Sequence, residues 1–484
     1  MSPARPCALY CGDNLTVLRQ NIPAESVDLV YLDPPFNSQQ DYNVIYQDKT
    51  GKRSAVQQHA FHDSWEWGDA AEGAYQDVVR AGGKVGQAVE ALYKILGNSD
   101  LMAYLCMMAP RLVLLHRVLK PTGSLYLHCD PSASHYLKVL LDAAFGPELF
   151  RNEIVWHYSG WNKKLKDHFE RRSDHILFYA KGPAQFFAGY AEPWKDDAEY
   201  VRVRKQKIRR DPQGRAFVLS DAGGGKRVHR YLDEAIAAGR PADNVWDLDK
   251  LNNSSKERLG YPTQKPEALL ERIIGASSNP GDVVLDPFCG CGTTVAVAQR
   301  LARHWIGIDV TYLALTVIEK RLVARFGRGV RDTWTLGGVP QEPAALMRLA
   351  HENYYGFQDC VLYYLKGRPL TDDERRRGGD QGIDGELVFY EGERTGTETR
   401  RVIVQVKGGE QANPSWVRDL RGVLDRERER GAAIGVLVTA TPPTDGMRHE
   451  AAACGRYESP TWGRGGPYPR LQLIHAPEQL EAPV

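Results

Sequence analysis

Several absences narrow the class of protein that this 484-residue sequence can encode. No apolar run approaches the length that spans a bilayer, and the N-terminus lacks the charged and then apolar layout of a signal peptide. The eight cysteines lack the paired CxxC spacing of a zinc site. These features predict a cytoplasmic protein with reduced thiols and without a membrane partner.

The overall charge and composition are those of an ordinary globular protein. Hydrophobic residues make up 42% and charged residues 25%, which excludes fibrous and unfolded classes. The net charge of +1 neither demands nor excludes nucleic acid, because an acidic surface elsewhere can hide a local basic face. The length exceeds what one hydrophobic core usually organises, so we expect two domains, with an insert as a third part.

The first part of the chain, residues 1–325, predicts a doubly wound α/β sheet, because short apolar runs alternate with helical patterns. Strands are predicted at 27–32, 124–128, 282–285 and 305–308. Three of these strands end directly on an aspartate, namely Asp33, Asp286 and Asp309. Because open α/β sheets bind ligands beyond the carboxyl ends of their strands, these carboxylates are expected at a reaction site.

Two stretches depart from this alternation, and a second α/β pattern follows them. Residues 155–260 contain a basic run at 202–210 and are interpreted as an inserted recognition region. Its arginines and lysines are expected on phosphates of double-stranded DNA, with a solvated charged face as the alternative. Residues 326–342 are polar and read as a linker, and a second α/β pattern begins at 343 and extends to 484.

The motif Asp33-Pro34-Pro35-Phe36 follows a predicted strand directly. An adenine amino nitrogen is a poor nucleophile because its lone pair is delocalised into the ring. The Asp33 carboxylate and the Pro34 carbonyl can each accept one N–H, which leaves the lone pair free for attack. Phe36 would stack on a base flipped out of the duplex. The alternative for this motif alone is a turn punctuated by prolines.

A second motif, at 286–294, follows the strand at 282–285 and precedes a helical pattern. Its glycines would let backbone amides approach a ligand at the helix start. Asp309 lies about 20 residues further on, where an acidic residue typically holds ribose hydroxyls. The alternative is a glycine-rich loop for some other nucleotide. The candidate cofactor-binding residues here are Asp286, Phe288, Gly290, Gly292, Thr293 and Asp309.

With both motifs in this order, the chain resembles the permuted class of DNA adenine-N6/cytosine-N4 methyltransferases over roughly residues 7–325. Asp13 matches a cofactor segment of that family, and Thr263, Gln264 and Lys265 match a segment whose implied contact is the methionine end of the cofactor. The resemblance implies a Rossmann-like fold, S-adenosylmethionine as cofactor and duplex DNA as substrate. Asp33, where cytosine enzymes often have serine, favours adenine N6, and cytosine N4 remains the alternative.

A segment at 172–179 also resembles the family, and its aromatic residues would help to line the base pocket. It includes His175. An ordinary core or loop histidine is the favoured interpretation of that residue.

The region 343–484 resembles the Mrr-like branch of the PD-(D/E)xK nuclease fold, through a Gly-Ile-Asp-Gly turn and a Gln-Val-Lys strand. The resemblance implies that Asp384 binds a divalent metal such as Mg²⁺, that Gln405 supports the site and that Lys407 orients a water molecule. Gln358 stands where the family often has a glutamate, so one negative charge for the metal is missing. A fold kept for DNA binding without catalysis is the alternative.

Together these features predict an adenine-specific DNA methyltransferase of a restriction-modification or defence system, fused to a restriction-endonuclease-like domain with a second, nuclease activity. A nuclease whose methyltransferase half only senses the cofactor is the competing hypothesis. The sequence leaves open a homodimer or a separate restriction subunit as partner.

Overall fold

The computed structural model describes most of the chain. Its described residues are 7–35, 40–47, 53–63, 66–160, 165–194, 196–221, 223–224, 226–252, 254–261, 263–369, 382–391, 398–409, 411–459 and 467–481. For 40–47, 53–63 and 479–481 only the backbone is described. The predicted stacking residue Phe36 lies outside these ranges.

The N-terminal half consists of alternating strands and helices followed by a group of short elements. Up to residue 157 the elements are β1 (Cys7–Cys11), α1 (Asn14–Gln20), β2 (Val27–Leu32), β3 (Gln40–Gln47), β4 (Arg53–Asp63), α2 (Asp69–Ala81), α3 (Gly83–Leu96), α4 (Asp100–Val118), β5 (Leu119–Cys129), α5 (Ser134–Phe145) and β6 (Phe150–His157). Then follow β7 (Ser173–Ala180), β8 (Ala191–Glu192), α6 (Asp197–Arg204), β9 (Arg209–Arg210), β10 (Ala216–Asp221), β11 (Arg227–Tyr231), α7 (Leu232–Ala237), β12 (Arg240–Pro241) and β13 (Val245–Asp247).

The C-terminal half begins with the strands and helices that complete the first sheet. These are α8 (Glu267–Ser277), β14 (Val283–Asp286), α9 (Thr293–Arg300), β15 (His304–Asp309), α10 (Tyr312–Phe326) and β16 (Trp334–Gly337). The remaining elements are α11 (Pro343–Glu352), α12 (Tyr354–Tyr364), β17 (Arg368–Pro369), β18 (Gly385–Glu391), β19 (Glu398–Lys407), α13 (Ser415–Arg426), β20 (Ala432–Thr439), α14 (Asp445–Ala452), β21 (Arg456–Tyr457), β22 (Tyr468–Pro469), β23 (Leu471–His475) and α15 (Ala476–Glu481).

Nine strands form the larger sheet, in the order β13-β6-β7-β5-β2-β14-β15-β1-β16. The five strands from β5 to β1 in that order run parallel, and β7 runs antiparallel to both of its neighbours. The central strand β2 is apolar and buried over nearly its whole length, as a parallel strand covered by helices on both faces should be. The predicted α/β sheet is confirmed.

Residues far apart in the chain meet at the carboxyl edge of this sheet. Strand β2 pairs with β14, with Leu29 opposite Val284, and β14 pairs in turn with β15. Because these three strands are neighbours, Asp33, Asp286 and Asp309 lie at one edge of the sheet. The predicted placement of the three carboxylates therefore agrees with the topology.

The segment predicted as a linker is partly a strand. Within 326–342, β16 pairs in parallel with β1 and forms the edge of the nine-stranded sheet. Trp334 is buried against Trp305, with ring centroids 5.8 Å apart. The first sheet therefore extends past residue 325, because this short strand covers an edge that would otherwise expose unpaired backbone groups.

The predicted insert is smaller than 155–260, because β7 and β13 belong to the main sheet. Between these two strands lie α6, α7 and a three-stranded sheet in the order β11-β10-β9. This part has its own small core of Trp194, Tyr200, Val218, Leu232 and Ala235. The basic run 202–210 lies on the end of α6 and on β9 and is mostly exposed.

By length and composition, α4 is able to cross a membrane, which corrects the expectation that no apolar run approaches that length. Its N-terminus is capped by Ser99, whose hydroxyl accepts the Met102 amide. Of its most apolar stretch, 61% is buried inside the protein, against the strands of the large sheet. This packing accounts for its apolar composition as that of a core helix.

A five-stranded sheet follows, in the order β17-β18-β19-β20-β23. Its first three strands are antiparallel and its last three are parallel. Two helices precede this sheet, because Asn353 ends α11 and its side chain caps α12 by accepting the Gly356 amide. Tyr363 of α12 donates to Glu319 of α10 at 2.7 Å, so this helix packs against the first sheet's layer.

Candidate active site

A cavity of about 340 Å³ opens at the carboxyl ends of β1, β2, β14 and β15. This volume falls within the range of small-molecule sites. Twelve of the predicted site residues line it. They are Asp13, Asp33, Pro34, Pro35, Thr263, Gln264, Lys265, Asp286, Phe288, Gly290, Thr293 and Asp309.

The Asp33 side chain sits at the inner wall of this cavity, 15% exposed. Its Oδ2 contacts the ammonium group of Lys265, which comes from the loop before α8. Its Oδ1 is buried and has no hydrogen-bond partner among the described residues. A buried acceptor left without a hydrogen bond costs about 1–3 kcal/mol, so this oxygen can still take a donor.

Beneath Asp33 lies a buried histidine that sequence reasoning missed. His128, at the end of β5, is fully buried. Its Nδ1 is 3.0 Å from the Tyr31 hydroxyl and 3.9 Å from Asp33 Oδ1, and its Nε2 is 3.3 Å from Asp174 Oδ2. Burial and the charge of Lys265 lower the pKa of His128, so the ring is neutral. Nothing local to β5 signals this role.

Asp286 shapes the loop that follows β14. One of its oxygens accepts the Phe288 amide at 3.0 Å and the other accepts the Thr294 hydroxyl at 2.6 Å. Burial raises the pKa of Asp286 to about 7, although these two hydrogen bonds favour the charged form. The carboxylate therefore holds the loop and the first turn of α9 in place.

Asp309 is built into the same loop. It accepts the Gly290 amide at 2.9 Å on one oxygen, and the Thr311 amide and hydroxyl, each at 2.9 Å, on the other. Burial raises its pKa. A carboxylate oxygen has more than one lone pair, so Asp309 keeps capacity for the hydroxyl groups of a ligand in the cavity.

Gly292 is the predicted cofactor residue that does not line the cavity. It precedes α9 with φ +71°, a left-handed conformation that side chains rarely adopt. A Cβ at this position would lie 2.6 Å from Cγ1 of the buried Ile318. The glycine is required for close packing of the loop on α10. Its contact with a cofactor stays a prediction.

Arg111 of α4 is a lining residue that sequence reasoning missed. Its guanidinium donates to Asp13 and to Asn14, while Asp13 also caps α1 by accepting the Thr16 amide at 3.1 Å. The Asn14 amide donates to the Pro287 carbonyl at 2.7 Å, which ties this corner to the loop after β14. Asp13 is therefore held at the cavity by groups from distant parts of the chain.

The segment 263–265 is arranged differently from the implied contacts. The Gln264 amide donates to the Glu257 carbonyl at 2.7 Å and accepts the Leu259 amide at 2.8 Å, so it supports its own loop. Lys265 contacts Asp33. Thr263 is half-buried at the cavity wall.

The aromatic residues of 172–179 do not line the described cavity. Phe178 is buried and stacks on Tyr126 at 4.2 Å, and the Tyr179 hydroxyl donates to Asp142 at 2.6 Å. His175 lies 2.5 Å from Glu153, in agreement with an ordinary structural histidine. The expected contribution of these aromatic rings to a base pocket is not seen in this cavity.

The three predicted residues of the second sheet come close together. Asp384 precedes β18, and its Oδ2 accepts the Val406 amide at 2.6 Å. Gln405 and Lys407 alternate with Val406 on β19, and Gln405 Oε1 is buried without a hydrogen-bond partner in the described part of the chain. The Gln358 amide donates to the Asp384 carbonyl at 3.3 Å, so it fixes the backbone.

The metal expected at Asp384 finds few charged ligands there. Over the described ranges, no group of three or more His, Cys, Asp or Glu side chains could hold a metal ion. All eight cysteines lie within those ranges and are free thiols. Among the described residues, which leave out 370–381 just before Asp384, a cation there would therefore find one carboxylate and neutral oxygens.

Comparison with known proteins identifies the class. The DNA methylase model for the N6/N4 methyltransferases matches residues 27–320, and the chain belongs to this family. Type II methyltransferase M.EcaI of Enterobacter cloacae is 27% identical over 390 residues, which are 72% of this chain and 76% of the relative. DNA adenine methyltransferase YhdJ of Escherichia coli (strain K12) is 28% identical over 299 residues, 62% of this chain and 76% of the relative.

Solved structures show similarity over about two thirds of the chain. The PvuII DNA methyltransferase, described as cytosine-N4-specific, aligns with 69% of this chain and 98% of its own, at 15% identity and a TM-score of 0.38. A complex of M1.HpyAVI with SAM aligns with 65% and 98%, at 19% identity and a TM-score of 0.32. The family assignment rests on the sequence match. The chain is a DNA methyltransferase related to restriction-modification enzymes.

Proposed function

We propose that this protein is a site-specific methyltransferase of the permuted class that transfers a methyl group from S-adenosylmethionine to N6 of adenine in duplex DNA. The observation that carries the proposal is the Asp33 carboxylate. Its Oδ1 is buried without a hydrogen-bond partner among the described residues, so it is open to accept one, and Asp33 and Pro34 both line the cavity. Two acceptors at this point suit an amino group that must present its lone pair.

The residues of the cavity fit S-adenosylmethionine. Acidic side chains, namely Asp13, Asp286 and Asp309, suit its cationic centre, its amino group and its ribose hydroxyls. Phe288 and Tyr261 supply apolar wall for the adenine ring. When bound, the cofactor supplies an electrophilic methyl group on a sulfonium.

The chain's own residues position the nucleophile. Asp33 Oδ1 and the Pro34 carbonyl accept the two N–H groups of the target amine, so the nitrogen lone pair turns away from the base ring. Lys265 holds Asp33 Oδ2 and thereby fixes the plane of the carboxylate. A preformed acceptor pair needs little reorganisation during the reaction, which is the main source of rate enhancement in such a site.

Duplex DNA is the proposed substrate, and the base must leave the stack to reach the cavity. Exposed arginines and lysines of the run 202–210 are available for phosphate contacts. Adenine is favoured by Asp33 in the first motif and by the relative named as a DNA adenine methyltransferase. A role in restriction-modification is favoured by the type II relatives.

The role of Asp33 is tested with Asp33→Ala. We expect methyl transfer from labelled S-adenosylmethionine to DNA to disappear while calorimetric binding of the cofactor persists, because Lys265 and the loop after β14 remain. Asp332→Ala is the matched control, since Asp332 is exposed in the turn before β16. Loss of cofactor binding in Asp33→Ala, or full activity in it, contradicts the role assigned to this carboxylate.

A second candidate function concerns the five-stranded sheet, for which we propose a restriction-endonuclease-like, Mg²⁺-dependent nuclease activity. The favouring observation is the buried oxygen of Gln405 beside Asp384, on the strand that carries Lys407. Cleavage of unmethylated or methylated DNA that requires Mg²⁺ and is lost in Lys407→Ala supports it. Cleavage that does not require Mg²⁺, or cleavage that is unchanged in Lys407→Ala, favours a domain that only binds DNA.

A further inference from the structure

The surroundings of His128 form a chain of hydrogen bonds across three adjacent strands. Tyr31 lies near the carboxyl end of β2, His128 lies on β5 and Asp174 lies on β7. The order β7-β5-β2 in the sheet puts the three side chains in one row. The row runs directly beneath Asp33, since His128 Nδ1 is 3.9 Å from Asp33 Oδ1.

Asp174 is held as an ionised acceptor at one end of the row. Its Oδ1 accepts the Tyr158 hydroxyl at 3.1 Å, and its Oδ2 faces His128 at 3.3 Å and Lys250 at 3.7 Å. Burial alone would raise the pKa of Asp174, but the hydrogen bond from His128 and the charges of Lys250 and Lys265 hold it below the usual value. An ionised carboxylate can only accept hydrogen bonds.

The position of Asp174 decides which nitrogen of His128 carries the proton. A neutral imidazole has one N–H and one lone pair, and the nitrogen that faces a carboxylate must be the donor. The proton therefore sits on Nε2. The lone pair on Nδ1 accepts a hydrogen bond from the Tyr31 hydroxyl at 3.0 Å. Tyr31 therefore donates to His128, and His128 donates to Asp174.

The opposite tautomer would interfere with Asp33. It would place an N–H on Nδ1, on the side of Asp33 Oδ1, and a small rotation would let that N–H occupy the acceptor. We propose that Asp174 and Tyr31 hold His128 in the Nε2–H tautomer, which keeps Asp33 Oδ1 open for the amino group of the target base. Asp174, Tyr31 and His128 are then positioning residues, and the inference rests on the function proposed for Asp33.

Asp174→Asn is the variant that tests this arrangement. The asparagine keeps the shape of the side chain but can turn its NH₂ toward His128, which favours the proton on Nδ1. We expect the kcat of methyl transfer to fall by roughly 10- to 100-fold, the equivalent of one hydrogen bond to a charged group, with the Kd of S-adenosylmethionine unchanged. Asp142→Asn is the matched control. Asp142 lies on α5, does not line the cavity, and accepts hydrogen bonds from Tyr179 of β7 and Lys138 of α5.

The tautomer itself is measured by nitrogen-15 NMR on histidine-labelled full-length protein, through two-bond couplings to the ring protons. The His128 signals are assigned by their absence in His128→Gln. We expect the Nε2–H pattern in the wild type and in Asp142→Asn, and a shift toward Nδ1–H in Asp174→Asn. A loss of activity caused only by weakened folding would leave the tautomer unchanged.

The outcomes separate this inference from the function on which it rests. An Nδ1–H or doubly protonated His128 in a wild type that transfers methyl overturns the inference alone. A switched tautomer in Asp174→Asn with unchanged kcat also overturns it. A wild type with the Nε2–H pattern that binds cofactor and transfers no methyl contradicts the proposed function instead.

Discussion

Replacement of Gly292 by alanine tests whether this glycine serves packing or ligand approach. Gly292 precedes α9 with φ +71°, and its amide donates to the Cys289 carbonyl at 2.7 Å. An added Cβ would meet three carbon atoms of Ile318, at 2.6, 3.3 and 3.3 Å. Ile318 is fully buried on α10 and has no room to withdraw.

The expected loss of stability has two parts. A left-handed conformation costs a residue with a side chain about 1–2 kcal/mol. Insertion of a methyl group into a packed core costs about 1–3 kcal/mol more, since side chains must leave their preferred rotamers. Gly292→Ala should therefore lose about 2–5 kcal/mol, against about 5–15 kcal/mol for the total stability of a domain.

The matched control is Gly327→Ala, because Gly327 has φ +82° and no heavy atom lies within 4 Å of its added Cβ. Because its ψ of 170° differs from that of Gly292, this variant carries a conformational cost of its own, about 1–3 kcal/mol, and no steric one. Urea unfolding followed by tryptophan fluorescence measures both changes. The double variant Gly292→Ala/Ile318→Ala should lose less stability than the sum of the two single losses, because the added methyl group then meets no isoleucine. Losses that add to within about 0.5 kcal/mol contradict a steric contact between these two residues.

Three further predictions concern charged groups. Lys265→Met removes the partner of Asp33, so the free energy of unfolding in urea should fall by about 3–5 kcal/mol and methyl transfer should be lost. A fall of less than about 1 kcal/mol contradicts a buried ion pair. Burial, and to a lesser degree the charge of Lys181, lower the pKa of His116 from 6.5 to about 4. The free energy of unfolding should therefore fall as the pH drops from about 6.5 to 4, and His116→Gln should reduce that fall. Glu386→Ala removes the buried carboxylate that Arg368 and Arg401 share, while Arg401 keeps Glu427, and should lose about 3–5 kcal/mol in urea unfolding. An unchanged stability contradicts this cost.

Local signals were sufficient to predict the carboxylates of the site. Asp33, Asp286 and Asp309 each follow a short apolar run directly, so a strand end and an acidic side chain can be read from a few neighbouring residues. The topology of parallel strands then brings them together without further information. Asp384 and Gln405 became neighbours for a similar reason, since both adjoin recognisable strands.

The groups that hold these carboxylates could not be predicted in this way. Arg111 reaches Asp13 across 98 positions of the chain, and Asp174 reaches His128 across 46. Such contacts depend on which helices and strands become neighbours, and no pattern near either residue records the partner. The pattern around Gly292 predicts a cofactor contact because a glycine at a helix start signals an unusual backbone but not which atoms fill the space.

Boundaries between elements were the least predictable feature. The strand β16 has only four residues, so its hydrophobic alternation is too short to stand out from a polar, glycine-containing stretch. The break between α11 and α12 depends on the cap made by Asn353, within an otherwise continuous helical pattern. Both features depend on hydrogen bonds made by a few residues, and the hydrophobic periodicity of the sequence does not show such bonds.

The most direct measurement is incubation of the wild-type protein with labelled S-adenosylmethionine and unmethylated duplex DNA of mixed sequence, followed by digestion to nucleosides. We expect label in N6-methyladenine. Label in N4-methylcytosine contradicts the base assigned from Asp33. Absence of label across many sequences, with cofactor binding demonstrated, contradicts the proposal that the open acceptor at Asp33 serves methyl transfer.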